Sequence, residues 1–269
     1  MATSKNGATQ FALVTGASSG IGYELAKQFA QNGFDLLIVS AGDGIHKAAA
    51  DIQVLGANVQ AVQADLATYD GVKELWSAVE SSGRTLDAAA INAGVGVSGP
   101  FLETDLAEEL NMVALNVTST VHLAKYVAKH MVNQGAGRIL FTASIAGTMP
   151  TPYETVYGAT KAFDRSFSQG LREELKDTGV TVTALMPGAT ETNFFHRAGA
   201  DDTKLGASEK DDAAEVAKEG FEAMMSGKDH VVAGSFKNKL QAAAGYALPD
   251  PMVAKAHAGM AEPGSASKK

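Results

Sequence analysis

The chain has 269 residues, 45% of them hydrophobic, which is material for one large domain or two ordinary ones. Its net charge of −8, without a basic cluster, argues against a nucleic-acid partner, and the lack of cysteine excludes disulfides and thiolate metal sites. Six histidines with no HExxH-like spacing argue against a catalytic metal.

Residues 1–10 are polar and have no apolar h-region, so they read as a flexible N-terminus rather than a secretory signal. An apolar run at 11–14 suits a buried strand and breaks into Gly16, Gly20 and Gly22. Ile21, Leu25, Ala26 and Phe29 then recur at helical spacing and predict a helix over 20–31. Strand, glycine turn and helix form the context in which backbone amides cradle a pyrophosphate, although glycines also serve tight turning and close packing alone.

Further strands are predicted over 35–39, 58–63, 86–91, 138–142, 181–186 and 230–233, with helices over 45–55, 70–80, 106–132, 155–176 and 213–225. This unbroken alternation predicts a single α/β unit with a parallel sheet of about seven strands and helices on both faces. Ligands of such sheets gather at the carboxyl ends of strands, where Gly16, Asn92, Ser144 and Pro187 all fall. No apolar stretch approaches the ~20 residues of a membrane span, so a soluble cytoplasmic protein with no membrane partner is expected.

Tyr157 and Lys161 are spaced i, i+4 in the helix predicted over 155–176 and share a face. An ammonium beside a phenol favours the phenolate, so this pair predicts a tyrosine whose proton affinity is lowered toward neutrality. The alternative for the isolated pair is a surface tyrosine with a solvated lysine.

T-G-A-S-S-G-I-G over 15–22, Asn92-Ala93-Gly94, Asn116, Ser144, Tyr157-x-x-x-Lys161 and Pro187-Gly188 stand in the order and spacing of the short-chain dehydrogenase/reductase family, which the chain resembles from about 11 to 234. The resemblance implies a Rossmann-like, doubly wound catalytic domain over 11–245 that binds NAD(P) and moves hydride between a nicotinamide and a small carbonyl or secondary alcohol. It implies catalytic roles for four residues. Ser144 holds the substrate oxygen, Tyr157 is the general acid or base, Lys161 assists it and binds the nicotinamide ribose, and Asn116 kinks its helix and fixes a relay water. For Asn116 a simple buried hydrogen-bonding role is the alternative.

By the same resemblance Gly16, Ser18, Ser19, Gly20, Ile21 and Gly22 hold the pyrophosphate. Asp65 and Leu66 meet the adenine, Asn92, Ala93 and Gly94 flank the adenosine, and Pro187, Gly188, Thr190 and Thr192 meet the carboxamide. A capping role is the alternative for Asp65. After the second strand, Ser40-Ala41-Gly42-Asp43-Gly44 departs from the family pattern. Neither an acid nor an arginine stands at Ala41 or Gly42, and with Ser18 and Ser40 available the balance tips very slightly to NADP(H).

The substrate loop is placed at 189–210, with no regular structure of its own, and Val95, Ile145, Met149, Tyr153, Phe194 and Phe195 are candidate walls. His196 is a tempting second base, but a lone loop histidine is usually uninvolved. Residues 246–269 read as a partly disordered tail, because Pro249 and Pro251 break helical continuation. The resemblance also implies a homodimer or homotetramer joined through the helices at 106–132 and 155–176. A non-catalytic dinucleotide sensor and a lyase or epimerase on the same scaffold are the competing functional classes.

Overall fold

A computed structural model describes residues 9–267. The strands are β1 (Gln10–Thr15), β2 (Phe34–Ser40), β3 (Val59–Gln63), β4 (Ala88–Ile91), β5 (Gly137–Thr142), β6 (Val180–Pro187) and β7 (His230–Ala233). They form one sheet in the order β3-β2-β1-β4-β5-β6-β7, with every neighbouring pair parallel. Successive strands are added on one side from β1 to β3 and on the other from β4 to β7, and the switch between β1 and β4 is where a doubly wound fold opens a crevice.

Period-two alternation sends each strand's apolar residues to two cores. Ala12, Val14, Leu36 and Ile38 face α1 (Gly20–Gln31), α2 (Gly44–Gln53) and, further along the chain, the helix Ala213–Met225. Phe11, Leu13, Leu37 and Val39 face α3 (Tyr69–Ser81) and the helices that follow β4. In the first core Phe29, Phe34 and Phe221 meet edge to face, with centroids 5.1 to 6.4 Å apart.

The long helix predicted over 106–132 is divided into α4 (Leu106–Val113), a π-helical turn Ala114–Ser119 and α5 (Thr120–Gln134). Widening by one residue per turn lets Asn116 project inward without ending the helix. α6 (Thr155–Leu175) follows β5 after a short 3₁₀ turn, Ile145–Thr148.

Two expectations are corrected. The loop at 189–210 carries α7 (Phe194–Arg197) and α8 (Lys204–Ala207), because Phe195 and Ala198 bury into the domain and Thr203 caps the second helix through the Gly206 amide. After α9 (Ala213–Met225) and α10 (Phe236–Ala247), the tail is ordered as α11 (Asp250–Ala261). Pro251 sits in the first turn of α11, where a missing amide costs no intrahelical bond, so the proline pair restarts a helix instead of only stopping one. Ser265 accepts from the Lys204 amide at 2.9 Å and Asp202 from the Gly264 amide at 2.8 Å, tying the end of the chain to α8. Of the segment 1–10 expected to be a flexible N-terminus, residues 1–8 lie outside the described residues, as do 268–269, and Gln10 already begins β1.

Candidate active site

The crevice at the switch point is a cavity of about 930 Å³. Its floor is fixed by a hydrogen-bonded clamp across three strands. The Thr15 hydroxyl accepts from the Asn92 and Ala93 amides, both at 2.9 Å, and the Thr142 hydroxyl donates to Asn92 Oδ1 at 2.9 Å. These bonds make the Asn92 side chain part of the scaffold of the cavity that it also lines.

The glycine turn closes on this clamp. Gly16 and Gly20 have positive φ, +68° and +58°. A Cβ on Gly22 would lie 2.3 Å from the Gly16 carbonyl oxygen and 2.5 Å from Asn92 Nδ2. Ser19 stands at the N-cap of α1 in an extended conformation and makes no side-chain cap bond. The positive end of α1 therefore faces the cavity uncapped by its own serine, the arrangement that suits a phosphate. Gly16, Ser18, Ser19, Gly20, Ile21 and Gly22 all line the cavity.

The same cavity is lined by Asp65 and Leu66 beyond β3, by Asn92, Ala93 and Gly94 beyond β4, and by Pro187, Gly188, Thr190 and Thr192 beyond β6. Ser40, Ala41 and Gly42 line it at the end of β2, whereas Asp43 does not. A Cβ on Gly42 would meet nothing within 4 Å, so the wall there is open as well as uncharged. Asp65 also accepts from the Ala67 amide at 2.9 Å, so it organises its own turn as well as facing the crevice. A cavity of this size with an uncapped helix start, a close-packed glycine turn and small residues along one wall fits a dinucleotide.

Ser144, Tyr157 and Lys161 converge at the other end. Ser144 accepts from the Ala146 amide at 3.1 Å and donates to the Pro187 carbonyl at 3.3 Å, which anchors it between β5 and β6. The Tyr157 ring packs on Phe194 of α7, centroids 5.1 Å apart, making α7 a wall of the site. Lys161 is 5% exposed; its ammonium donates to the Thr142 carbonyl at 2.8 Å and to Asp164 at 3.0 Å.

This geometry reverses the expectation for the phenol. Burial raises the Tyr157 pKa above its ordinary value, the Glu154 carboxylate raises it further, hydrogen bonding from Ser144 opposes, and the Asp164 charge adds to the rise. The Lys161 ammonium is engaged by the Thr142 carbonyl and by Asp164. Asp164 is itself held above the usual carboxylate range by burial, with the Lys161 charge and hydrogen bond opposing.

Asn116 does not line the cavity and is fully buried. Its Oδ1 accepts from the Val95 amide at 3.0 Å, and its Nδ2 donates to the Val95 carbonyl at 2.9 Å and to Thr160 at 3.0 Å. Its own carbonyl accepts from the Thr120 hydroxyl at 2.8 Å. The side chain thus pins the strand-end loop at Val95 to α6.

Val95, Ile145, Met149, Phe194 and Phe195 line the substrate side, whereas Tyr153 does not. His196 pairs at 2.7 Å with Asp201 on the surface, away from the cavity. Glu154, Asp164 and His257 were not singled out by the sequence. Asp164 stands three residues after Lys161, a spacing that brings side chains together on a helix, but an acid there also reads as a solvated face. Among the described residues no group of histidines and acids is arranged to hold a metal, and no helix is long and apolar enough to cross a membrane.

The family model of the short chain dehydrogenase matches residues 10–203. A short-chain type dehydrogenase/reductase of Sinorhizobium fredii is 37% identical over 191 residues, covering 70% of this chain and 73% of that protein. A short-chain dehydrogenase from Sphingobium yanoikuyae, solved in complex with NADPH, superposes with a TM-score of 0.75 at 33% identity, over 83% of this chain and 87% of that one. The bulky-bulky ketone specific alcohol dehydrogenase from Comamonas testosteroni gives 0.75 at 30% identity, over 87% of this chain and 91% of that one.

Proposed function

The chain belongs to the short-chain dehydrogenase family, and on that premise we propose that it is an NAD(P)-dependent oxidoreductase that reduces a ketone or aldehyde through Tyr157. The observation that carries this reading is the convergence of Ser144, Tyr157 and Lys161 on the cavity that the glycine turn opens into. A bound nicotinamide supplies or accepts the hydride.

Ser144 orients the substrate oxygen, and the Tyr157 O–H donates its proton to that oxygen as negative charge develops there. Burial and the Glu154 charge favour the protonated phenol, the form that acts as acid in reduction, and in the reverse reaction the same oxygen takes the hydroxyl proton. Lys161 lies on the same helix face, lines the same cavity and would hold the nicotinamide ribose. The Phe194, Met149 and Ile145 walls exclude water from the transfer.

NADP(H) is the favoured cofactor, supported by the uncharged, open wall at Ser40, Ala41 and Gly42, where no carboxylate repels a 2′-phosphate, and by the NADPH complex of the Sphingobium protein. The enzyme is expected to act in the cytoplasm as a homodimer or homotetramer.

The test is oxidation of NADPH and NADH, followed by absorbance, against a panel of ketones and aldehydes. Turnover is expected, with the higher kcat/KM for NADPH. Tyr157→Phe is expected to lose about 10²-fold or more in kcat, with cofactor affinity within a few-fold of the parent. Turnover of Y157F close to the parent's removes the tyrosine from the mechanism.

A further inference from the structure

Phe194 spans the gap between Gly96 and the reacting phenol. Its ring lies against Tyr157, with centroids 5.1 Å apart and planes tilted by 51°. The tip of the same ring reaches Gly96, where a Cβ would stand 2.5 Å from Cζ and 3.1 and 3.2 Å from Cε2 and Cε1. Gly96 does not have a positive φ, so a glycine stands there for room rather than for backbone angle. Val95 lines the cavity, whereas Gly96, met by the ring, does not.

The backbone on both sides of this contact is fixed. The Ser98 amide donates to the Ala198 carbonyl at 2.9 Å, which ties the loop that carries Gly96 to the end of α7. The Phe194 amide donates to the Thr192 hydroxyl at 3.2 Å, and the buried Phe195 meets Phe194 edge to face at 5.6 Å. The ring tip is already at the glycine and has no room to withdraw in that direction. Rings whose centroids are 5.1 Å apart are in contact, and no further group fits between them.

We propose that Phe194 sets the size of the carbonyl substituent beside Tyr157, so that the preferred substrates are aldehydes and methyl ketones whose second substituent is the larger one. A carbonyl oxygen held by Ser144 and Tyr157 sends its two substituents to opposite sides. The one toward α7 meets the Phe194 ring and has little depth. The other meets a mixed wall, in which Met149 and Met260 are apolar and Lys204, Lys210, Lys237 and Gln241 are polar. Gly96 completes the device, because the lack of a side chain there lets the ring stand clear of the reacting centre. This assignment rests on the reductase reading above.

The experiment measures kcat/KM with NADPH for benzaldehyde and for aryl ketones that lengthen on one side only: acetophenone, propiophenone and butyrophenone. The full chain is expected to lose about tenfold or more for each methylene added beyond the methyl ketone. Phe194→Ala is expected to bring butyrophenone to within about threefold of acetophenone, by gaining activity on the longer ketone. Phe194→Leu is expected to give an intermediate ratio, and it carries the test should F194A not fold. Gly96→Ala drives the ring onto Tyr157 and is expected to lose about tenfold or more on acetophenone in the parent. In the F194A background the same change is expected to cost less than about threefold, since the ring it collides with is gone. Equal turnover along the series, a length limit unchanged in F194A, or a G96A loss that persists in F194A overturns the assignment and leaves the reductase reading standing. No turnover in the series, with other carbonyls of the panel reduced, does the same. Failure of the series and of the wider carbonyl panel overturns both.

Discussion

The Lys161 ammonium lies 3.0 Å from an Asp164 carboxylate oxygen, with both side chains almost sealed from water. The second Asp164 oxygen has no hydrogen-bond partner. The pair therefore holds Lys161 against the Thr142 carbonyl at the cost of a partly unsatisfied acid. Asp164→Asn should leave the ammonium buried and uncompensated, lowering stability by about 3–5 kcal/mol. It also removes one of the charges that raise the Tyr157 phenol, so the limb of the pH–kcat/KM profile that belongs to this tyrosine should move to lower pH. Denaturant unfolding and the pH profile check the two effects separately, and an unmoved profile would show that Asp164 does not act on the phenol.

At the opposite end of the sheet Asp35 ties three segments together. It accepts from Arg84 at 2.7 Å and from the Asn58 amide at 2.9 Å, and Arg84 in turn donates to the Thr9 carbonyl at 2.8 Å. Burial alone would raise the Asp35 pKa, but the Asn58 amide and the Arg84 hydrogen bond and charge outweigh it and hold it below the ordinary carboxylate value. A depressed folded-state value means the unfolded chain takes up the proton first. The stabilisation is thus complete above about pH 4 and is lost as pH falls below it. Asp35→Asn should cost about 1–3 kcal/mol at pH 7 and flatten the acid limb of stability, as read by urea titrations from pH 7 to pH 3.

Gly22 is set by space rather than by backbone angle. The methyl of Gly22→Ala would overlap the Gly16 carbonyl oxygen, a backbone atom that cannot rotate away, and the Asn92 amide behind it. The turn must open, which moves the start of α1 away from the phosphate position. NADPH affinity should fall about tenfold or more, and the melting temperature should drop even without cofactor. Isothermal titration and thermal unfolding measure the two; an unchanged affinity would show that this turn does not cradle the pyrophosphate.

Much of the scaffold was legible because its signals are local. Runs such as Leu36-Leu37-Ile38-Val39 bury on both faces, and Tyr157 and Lys161 are set by helical spacing within one turn of α6. What escaped depends on docking between distant segments. The π-helical turn at Asn116 leaves no mark in hydrophobic periodicity, because one extra residue shifts the pattern less than ordinary side-chain variation does, and only the family resemblance implies a kink there. Nothing near His257 points to Glu154; the two meet only because α11 folds back over α8, and α11 looked too proline-broken to form. The raised Tyr157 phenol needed Glu154 and Asp164 to be placed first, so spacing alone gave the wrong direction.

The face made by α4 and the segment before it is too apolar for open water. Phe101, Leu102, Leu106 and Leu110 are all more than half exposed, Leu102 at 94%. Isolated surface leucines are ordinary, but four large apolar side chains within ten positions suit an interface between copies of the chain. A two-fold interface uses each residue twice, so a single change is counted in both subunits. Burying one leucine is worth about 1.5–3 kcal/mol, so replacing both Leu102 and Leu106 by Glu should weaken association by at least about a hundredfold. Light scattering coupled to size exclusion should then show the parent as a dimer or tetramer and the double variant shifted toward monomer, with the melting temperature of the parent, but not of the variant, rising with concentration. A parent that is monomeric at micromolar concentration would leave this face without a subunit role.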